Sequence, residues 1–437
     1  MDGDRPMREF LLLVCLVIST NLRSIAGSVP QAVYYQLESC GKVHLTVSPM
    51  QDNYFELNWV VKDCNENNSP DYIIFSNEDP RNREEERSAI LKEIRASEHP
   101  TGYYKTKFKF REPWLPGNWE YNPNTVNADI GPHCLPFWIT SKRNNQTIDT
   151  RCLEIQPTWM QDNREYLANQ RIGNVFIPGT HNSGSYSGII AVFEGYVLNQ
   201  DRDVWNQLVF GNRYLDLRIG HMPDKELYIY HDNVRIGKVE PVLRQIQKFA
   251  ELAPQEVIIV DIHRFPFPKN FTREMHHKFV GLLQNILGNH IFHSSSYENE
   301  SGPTFSKIWS TKRSIIISYA DSLVINDYQW LWPPIKQFWG NTNQVSELRN
   351  YLRSSIYEHV GLRRPLWALM AELTPQTWDV ILRKNNLRVL AQKANKEVTK
   401  WFRDEWCNRT NIVASDYFLG NDLIRVAIET NKAKGLK

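Results

Sequence analysis

From Ile172 onward, short apolar runs alternate with longer segments whose apolar residues recur at helical spacing. Repeated strand-then-helix units bury their faces as a parallel sheet with crossover helices, so this alternation excludes an all-helical or all-antiparallel fold for the second half of the chain. Residues 239–252 supply one such helix, with Val242, Ile246, Phe249 and Leu252 at intervals of three and four. Candidate strands fall at 175–177, 214–219, 228–230, 257–262, 314–318, 366–371 and 412–414; an eighth is not placed. The length suits a (β/α) TIM-type barrel, regular or distorted, with its chemistry at the C-terminal strand ends.

Those ends are where polar residues collect. In the stretch NVFIPGTHNSGSYSG, beginning at Asn174, an apolar strand runs into Pro178-Gly179, which predicts a tight exit, and His181 follows among small residues. In YLDLRIG, Tyr214, Asp216 and Arg218 share one face, because side chains alternate along a strand. His231 ends LYIYH, and Asp261 and His263 share a face of VIIVDIH. Ionisable groups recurring at three strand ends point to a site rather than to a salt-bridged core.

This pattern of a histidine after IPG and a small residue, D-x-R in the next strand and a second histidine resembles the X domain of phosphatidylinositol-specific phospholipases C. The stretches LWPP at Leu331, WGNT at Trp339, ELTP at Glu372 and NIVASDYF at Asn411 resemble the subgroup built around the X domain alone, and the likeness covers residues 171–431. It implies attack of an inositol 2-hydroxyl on its own phosphodiester. That reaction needs a base, an acid and fixed positive charge, and two imidazoles can serve as the proton-transfer pair.

The resemblance therefore implies His181 as general base, His231 as general acid and Arg218 as the cation on the phosphate oxygens. Asp216 is expected to orient Arg218 or tune a histidine, and Asp416 to hold the tautomer of His181. Asn182, His263 and Glu372 are expected to contact substrate. Asn182 stands where bacterial members carry an aspartate, as it does in calcium-dependent eukaryotic enzymes, but Arg218 occupies the place of a carboxylate in the latter. That favours chemistry with no cofactor, with calcium as the alternative. The rival functions are a secreted lipid-headgroup or protein-binding module without turnover and, less well matched, a metal-dependent phosphodiesterase of another type.

The first part of the chain reads differently. Residues 42–47, 55–61, 72–75 and 103–110 alternate apolar and polar positions between Asn, Asp, Pro and Gly clusters, as half-buried antiparallel strands do, so a smaller all-β sandwich domain is expected over 28–155, before the barrel domain at 157–437. It shows no catalytic constellation, and its protein partner is unknown. Ahead of it, Arg5 and Arg8 precede a ten-residue apolar run and the small residues Ser24 and Ala26. A bilayer core takes roughly 20 residues to cross, so residues 1–26 read as a cleaved signal peptide and no transmembrane segment is expected in the mature chain.

Export to the secretory pathway fits the cysteines. Cys40, Cys64, Cys134 and Cys152 are expected to form two disulfides, their connectivity undetermined, leaving Cys407 unpaired. Asn67, Asn145, Asn270, Asn299 and Asn408 begin glycosylation sequons. A net charge of +2, with basic residues interspersed among acids, argues against nucleic acid as a partner. The implied partner is an inositol phospholipid at a membrane surface. Trp330, Leu331 and Trp332 can either dip into that interface or pack against a neighbouring helix.

Overall fold

The computed structural model describes residues 39–82, 89–111, 114–187, 194–224, 226–293, 300–358 and 365–436. The expected signal peptide and Asn299 lie outside them. No helix among the described residues is long and apolar enough to cross a membrane.

Seven antiparallel strands come first: β1 (Val43–Val47), β2 (Tyr54–Trp59), β3 (Tyr72–Ser76), β4 (Ile90–Arg95), β5 (Tyr103–Lys109), β6 (His133–Arg143) and β7 (Gln146–Ile155). They form two sheets, β1-β2-β5 and β4-β3-β6-β7. The sheets meet through aromatic rings, Phe55 packing on Phe75 at 5.0 Å and on Phe137 at 4.4 Å between centroids. Disulfides Cys40–Cys64 and Cys134–Cys152 close two loops here, and Cys407 is buried and free, which resolves the pairing that sequence left open.

The remainder is mixed α/β: β8 (Ile177–Thr180), α1 (Val204–Phe210), β9 (Tyr214–His221), β10 (Leu227–His231), β11 (Val234–Lys238), α2 (Val239–Leu252), β12 (Ile258–Phe267), α3 (Arg273–Leu287), β13 (Ile315–Tyr319), β14 (Lys336–Trp339), α4 (Val345–Glu358), β15 (Trp367–Met370), α5 (Thr377–Ile381), α6 (Leu387–Trp401), β16 (Ile412–Ser415) and α7 (Leu423–Gly435). Seven strands run parallel in the order β13-β12-β9-β8-β16-β15-β14. The sheet curls, and its outer edges approach where Ser318 bridges Trp332 and Ile335 donates its N–H to Ser318 Oγ, 3.1 Å away. Among the described residues no ladder joins β13 to β14 and no eighth parallel strand completes a ring.

Two strand assignments change. Residues 228–230 belong to β10, which pairs antiparallel with β9 and forms a hairpin with β11 instead of taking a place in the parallel set. Its place is taken by β14, sequence KQFW, which has only one buried residue and follows two prolines.

The described residues belong to one compact unit. Trp119, from the N-terminal part, stacks near Trp205 and Phe249 and accepts the Trp205 indole N–H on its carbonyl at 2.7 Å. Gln392 of α6 reaches across to Glu56 at 2.7 Å. Leu331 and Trp332 are 2% and 1% exposed, so these two side chains pack inward, and Trp330 is partly buried against the core.

Candidate active site

Pro178 and Gly179 turn out to lie inside β8, not at its exit. Glycine is required at 179 because a Cβ there would come within 2.6 Å of the Tyr214 Cβ on the neighbouring strand. The turn comes two residues later, at Asn182, whose φ is +44°, a left-handed conformation that asparagine tolerates better than most side chains. Ser183 fastens the turn: its N–H donates to the Asp216 carbonyl at 2.8 Å and its Oγ accepts from the Asp216 N–H at 2.9 Å. The small residues after His181 thus lock the β8 exit against β9.

His181, buried at the end of β8, faces residues from three other elements. Its Nδ1 lies 2.9 Å from Asp416 Oδ1, one residue past β16, and its Nε2 lies 3.1 Å from Arg218 Nη2 on β9. Asn199 Nδ2 donates to the same Asp416 oxygen at 3.0 Å, and Gln200 Nε2 donates to the carbonyls of His181 and Ser415. A chain Asp416–His181–Arg218 therefore runs across the site, with amides bracing it from behind.

His231 reaches the same place by the hairpin. The register pairs Ile219 with Ile229, and continuing it returns His231 to the level of Leu217, beside Arg218. Its Nδ1 donates to the Val197 carbonyl at 2.5 Å, which leaves Nε2 facing the site. Asp232, the next residue, accepts from Arg218 Nη1 at 3.2 Å and lies 3.8 Å from His231 Nε2.

Asp216 makes no direct bond to Arg218 among the described contacts. Its Oδ2 accepts the Asn182 N–H at 3.0 Å and its Oδ1 accepts from Gln337 at 3.3 Å, so it holds the turn behind His181. Burial works against its charge, but Arg218, His263 and His181 together hold its pKa below the usual value. Asp261, matched in register with Asp216 on the neighbouring β12, is bonded to Tyr214, Ser318 and Gln337. Burial, reinforced by the Asp216 charge, pushes it up to about 7.

The histidines are driven apart. Burial opposes the His181 imidazolium, yet the carboxylates of Glu372 and Asp416 outweigh it and raise the group to about 9. Arg218 pulls the other way, and its N–H can be received by Nε2 only when that ring is neutral. His231 is lowered by burial and by Arg218. His263 is lowered to about 4, mainly by burial, while sensing Asp216, Arg264, Arg218 and His181.

Glu372, two residues past β15, is 3% exposed, and neither of its carboxylate oxygens has a partner among the described residues. Burial raises it to about 7. Asn182 Oδ1 and Arg218 Nε are likewise buried without a partner. Such groups are costly unless something bonds to them. Here one donor on a cation and three acceptor oxygens belong to a single site, which suits a ligand carrying an anionic group and hydroxyls.

All eight residues expected from sequence are therefore in or beside one site: His181, Asn182, Asp216, Arg218, His231, His263, Glu372 and Asp416. Sequence reasoning missed Asn199, Gln200, Asp232 and the Val197 carbonyl. Only Asp232, adjacent to His231, left any trace in the sequence.

Residues 176–320 match the family model described as phosphatidylinositol-specific phospholipase C, X domain. Glu372 and Asp416 lie outside that span. The mouse protein named PI-PLC X domain-containing protein 1 is 25% identical over 310 residues, 63% of this chain and 86% of that protein. The mouse PI-PLC X domain-containing protein 2 is 27% identical over 305 residues, 62% and 87% respectively. Among solved structures, the phosphatidylinositol-specific phospholipase C of Listeria monocytogenes aligns with a TM-score of 0.49 at 19% identity, over 61% of this chain and 98% of that one.

Proposed function

We propose, for a chain that carries a phosphatidylinositol-specific phospholipase C X domain over residues 176–320, that it is a phosphoric diester hydrolase cleaving phosphatidylinositol or a related inositol phospholipid. The observation that carries this reading is the chain Asp416–His181–Arg218, set among buried polar atoms that lack partners.

The proposed course uses these residues in turn. His181 Nε2, with its tautomer set by Asp416, takes the proton of the inositol 2-hydroxyl. That oxygen forms a bond to phosphorus as the bond to the diacylglycerol oxygen breaks. Arg218 turns its N–H groups to the phosphate oxygens as charge builds there, an electrostatic contribution that is large in a water-poor site. His231 Nε2 gives the leaving oxygen its proton, and the products are a cyclic inositol phosphate and diacylglycerol. Glu372 and the Asn182 Oδ1 would accept ring hydroxyls, with His263 beside them.

The resting charges oppose this division, because they favour a proton on His181 and none on His231. A bound phosphodiester answers only the second: its negative charge raises His231, while drawing the Arg218 N–H away frees His181 Nε2 for the 2-hydroxyl and leaves His181 to act from its neutral fraction. A calcium ion fits poorly. Calcium takes 6–8 oxygen ligands, whereas the Asp216 oxygens are already engaged, the oxygens of Glu372 and Asn182 without a partner among the described residues number three, and the Arg218 guanidinium stands within the site. We therefore infer a metal-independent reaction.

We also infer that the N-terminal sheets and the curled α/β sheet are two modules, a sandwich and a TIM-type barrel variant, in a secreted, disulfide-bonded glycoprotein. The rival reading, a headgroup-binding module without turnover, draws support from the resting proton positions. Phosphorus NMR of the protein incubated with phosphatidylinositol vesicles separates the two. A cyclic inositol phosphate signal supports hydrolysis; headgroup binding with no new resonance supports the rival.

A further inference from the structure

Tyr417, the residue after Asp416, holds a left-handed backbone, with φ +48° and ψ +62°. A bulky side chain rarely adopts that conformation, which persists only where the surroundings over-determine it. The strain therefore sits directly beside the carboxylate that holds His181.

Those surroundings reach the partners of both histidines. The Tyr417 N–H donates to the Asn199 carbonyl at 2.8 Å, and its hydroxyl donates to the Leu198 carbonyl at 2.6 Å. Leu198 and Asn199 follow Val197, whose carbonyl receives His231 Nδ1, and Asn199 itself donates to Asp416. From the other side, Asn395 Nδ2 on α6 donates to the carbonyls of Asp416 and Tyr417 at 3.0 and 3.1 Å.

That helix is in turn held by the N-terminal part. Arg388, Gln392 and Asn395, spaced four and three apart, share one face of α6. Both ends of the Gln392 amide are taken: its Oε1 accepts from Ser48 Oγ at 2.5 Å, and its Nε2 donates to Glu56 Oε1 at 2.7 Å. Glu56 is buried and also accepts from Thr46 and Tyr103. Arg388 donates to the Pro49 carbonyl at 2.7 Å, with its guanidinium 4.7 Å from the centre of the Tyr417 ring. Gly420 admits no side chain, because a Cβ there would come within 2.7 Å of Asn395 Nδ2 and 2.9 Å of the Pro49 ring. Loop, helix and N-terminal part thus meet without slack. A buried, bonded polar network adds modestly to stability but fixes one geometry.

We propose that the N-terminal part is a positioning element of the active site. By gripping α6 at Gln392 and Arg388, it makes Asn395 and Tyr417 positioning residues for the groups that hold His181 and His231. The proposal takes the site from the phosphodiesterase reading, but the alignment it describes exists without turnover.

The test is nitrogen NMR of the full chain with labelled histidine side chains, which reads tautomer and pKa with no substrate present, alongside kcat and KM on phosphatidylinositol vesicles. Gln392→Ala should lower the His181 pKa and mix in the Nε2–H tautomer, because a loosened Asp416 neither favours the imidazolium nor fixes the Nδ1 proton. It should also lower kcat on the order of 10-fold with KM little changed, short of the roughly 10²-fold loss that a misplaced catalytic group brings. That loss should not multiply with the loss in Asp416→Asn, since both act through one bond. Tyr417→Phe, which deletes only the hydroxyl bonded to Leu198, should disturb the His231 signals. Ile73→Ala, which opens a cavity at a buried position of β3 in the other N-terminal sheet, should lower the melting temperature and leave the histidine signals and kcat as in the parent.

Parent histidine signals in both Gln392→Ala and Tyr417→Phe overturn the proposal. So does a Gln392→Ala loss that multiplies in full with that of Asp416→Asn, or an Ile73→Ala protein whose signals move as far, since either marks a role in stability alone. Shifted signals in a protein that hydrolyses nothing leave the positioning proposal standing while the phosphodiesterase reading falls.

Discussion

Asp416 Oδ1 lies 2.9 Å from His181 Nδ1 although 235 residues separate them in the chain. Parallel pairing of β16 with β8 brings them together, matching Ser415 to Thr180 and so placing the next residue of each strand side by side. A buried carboxylate on Nδ1 fixes the tautomer that leaves Nε2 facing the site and stabilises the imidazolium once it forms.

Asp416→Asn should accordingly lower turnover on the order of 10²-fold or more, the scale of losing an oriented acid or base. Residues acting as a unit are not additive. The double variant with His181→Ala should therefore be scarcely worse than His181→Ala alone. A double variant showing the product of the two single losses would break the dyad.

Glu372 gives a prediction about pH. Its carboxylate is the largest of the influences raising His181, whose pKa stands at about 9. As a base His181 must be neutral, so kcat/KM should rise with pH through that value in the free enzyme. Glu372→Gln removes the charge but keeps the shape, which lowers the histidine pKa and moves the acid limb to lower pH. Profiles of kcat/KM against pH check this; a limb that stays where it was would mean that another group controls it.

The α/β pattern and most site residues were legible because strand alternation is local: Asp216 and Arg218 share a face whatever the rest of the chain does. The direction of a strand is not local. Residues 228–230 look the same in a parallel or antiparallel setting, so the β9–β10 hairpin was missed even though His231 was found. β14 escaped for another reason, since KQFW offers one buried residue and no period to detect. Asn199, Gln200 and the Val197 carbonyl sit on an irregular segment and act through amides and backbone, which carry no spacing rule.

Chelation tests the metal-independent reading. Arg218 stands 3.1 Å from His181 Nε2 and supplies fixed positive charge within the site. Activity should survive excess EGTA and gain nothing from added calcium. Loss on chelation with recovery on calcium would assign Asn182 and Asp216 a metal after all.

The last prediction separates the two histidines by what each must do. A general acid matters most when the departing alkoxide is a strong base, as with diacylglycerol, and little when it is already stable, as with a nitrophenolate. His231, bonded through Nδ1 to the Val197 carbonyl, has only Nε2 to offer the leaving oxygen. His231→Ala should thus cost on the order of 10²-fold on the natural lipid and far less on a nitrophenyl ester of inositol phosphate. His181→Ala should impair both, because the 2-hydroxyl needs its base whatever leaves. The resting pKa directions make the reverse assignment a concrete competitor, since His181 is raised and His231 lowered. If His181→Ala is the variant rescued by the activated ester, the roles are exchanged; if both lose equally on both esters, neither histidine is a dedicated acid.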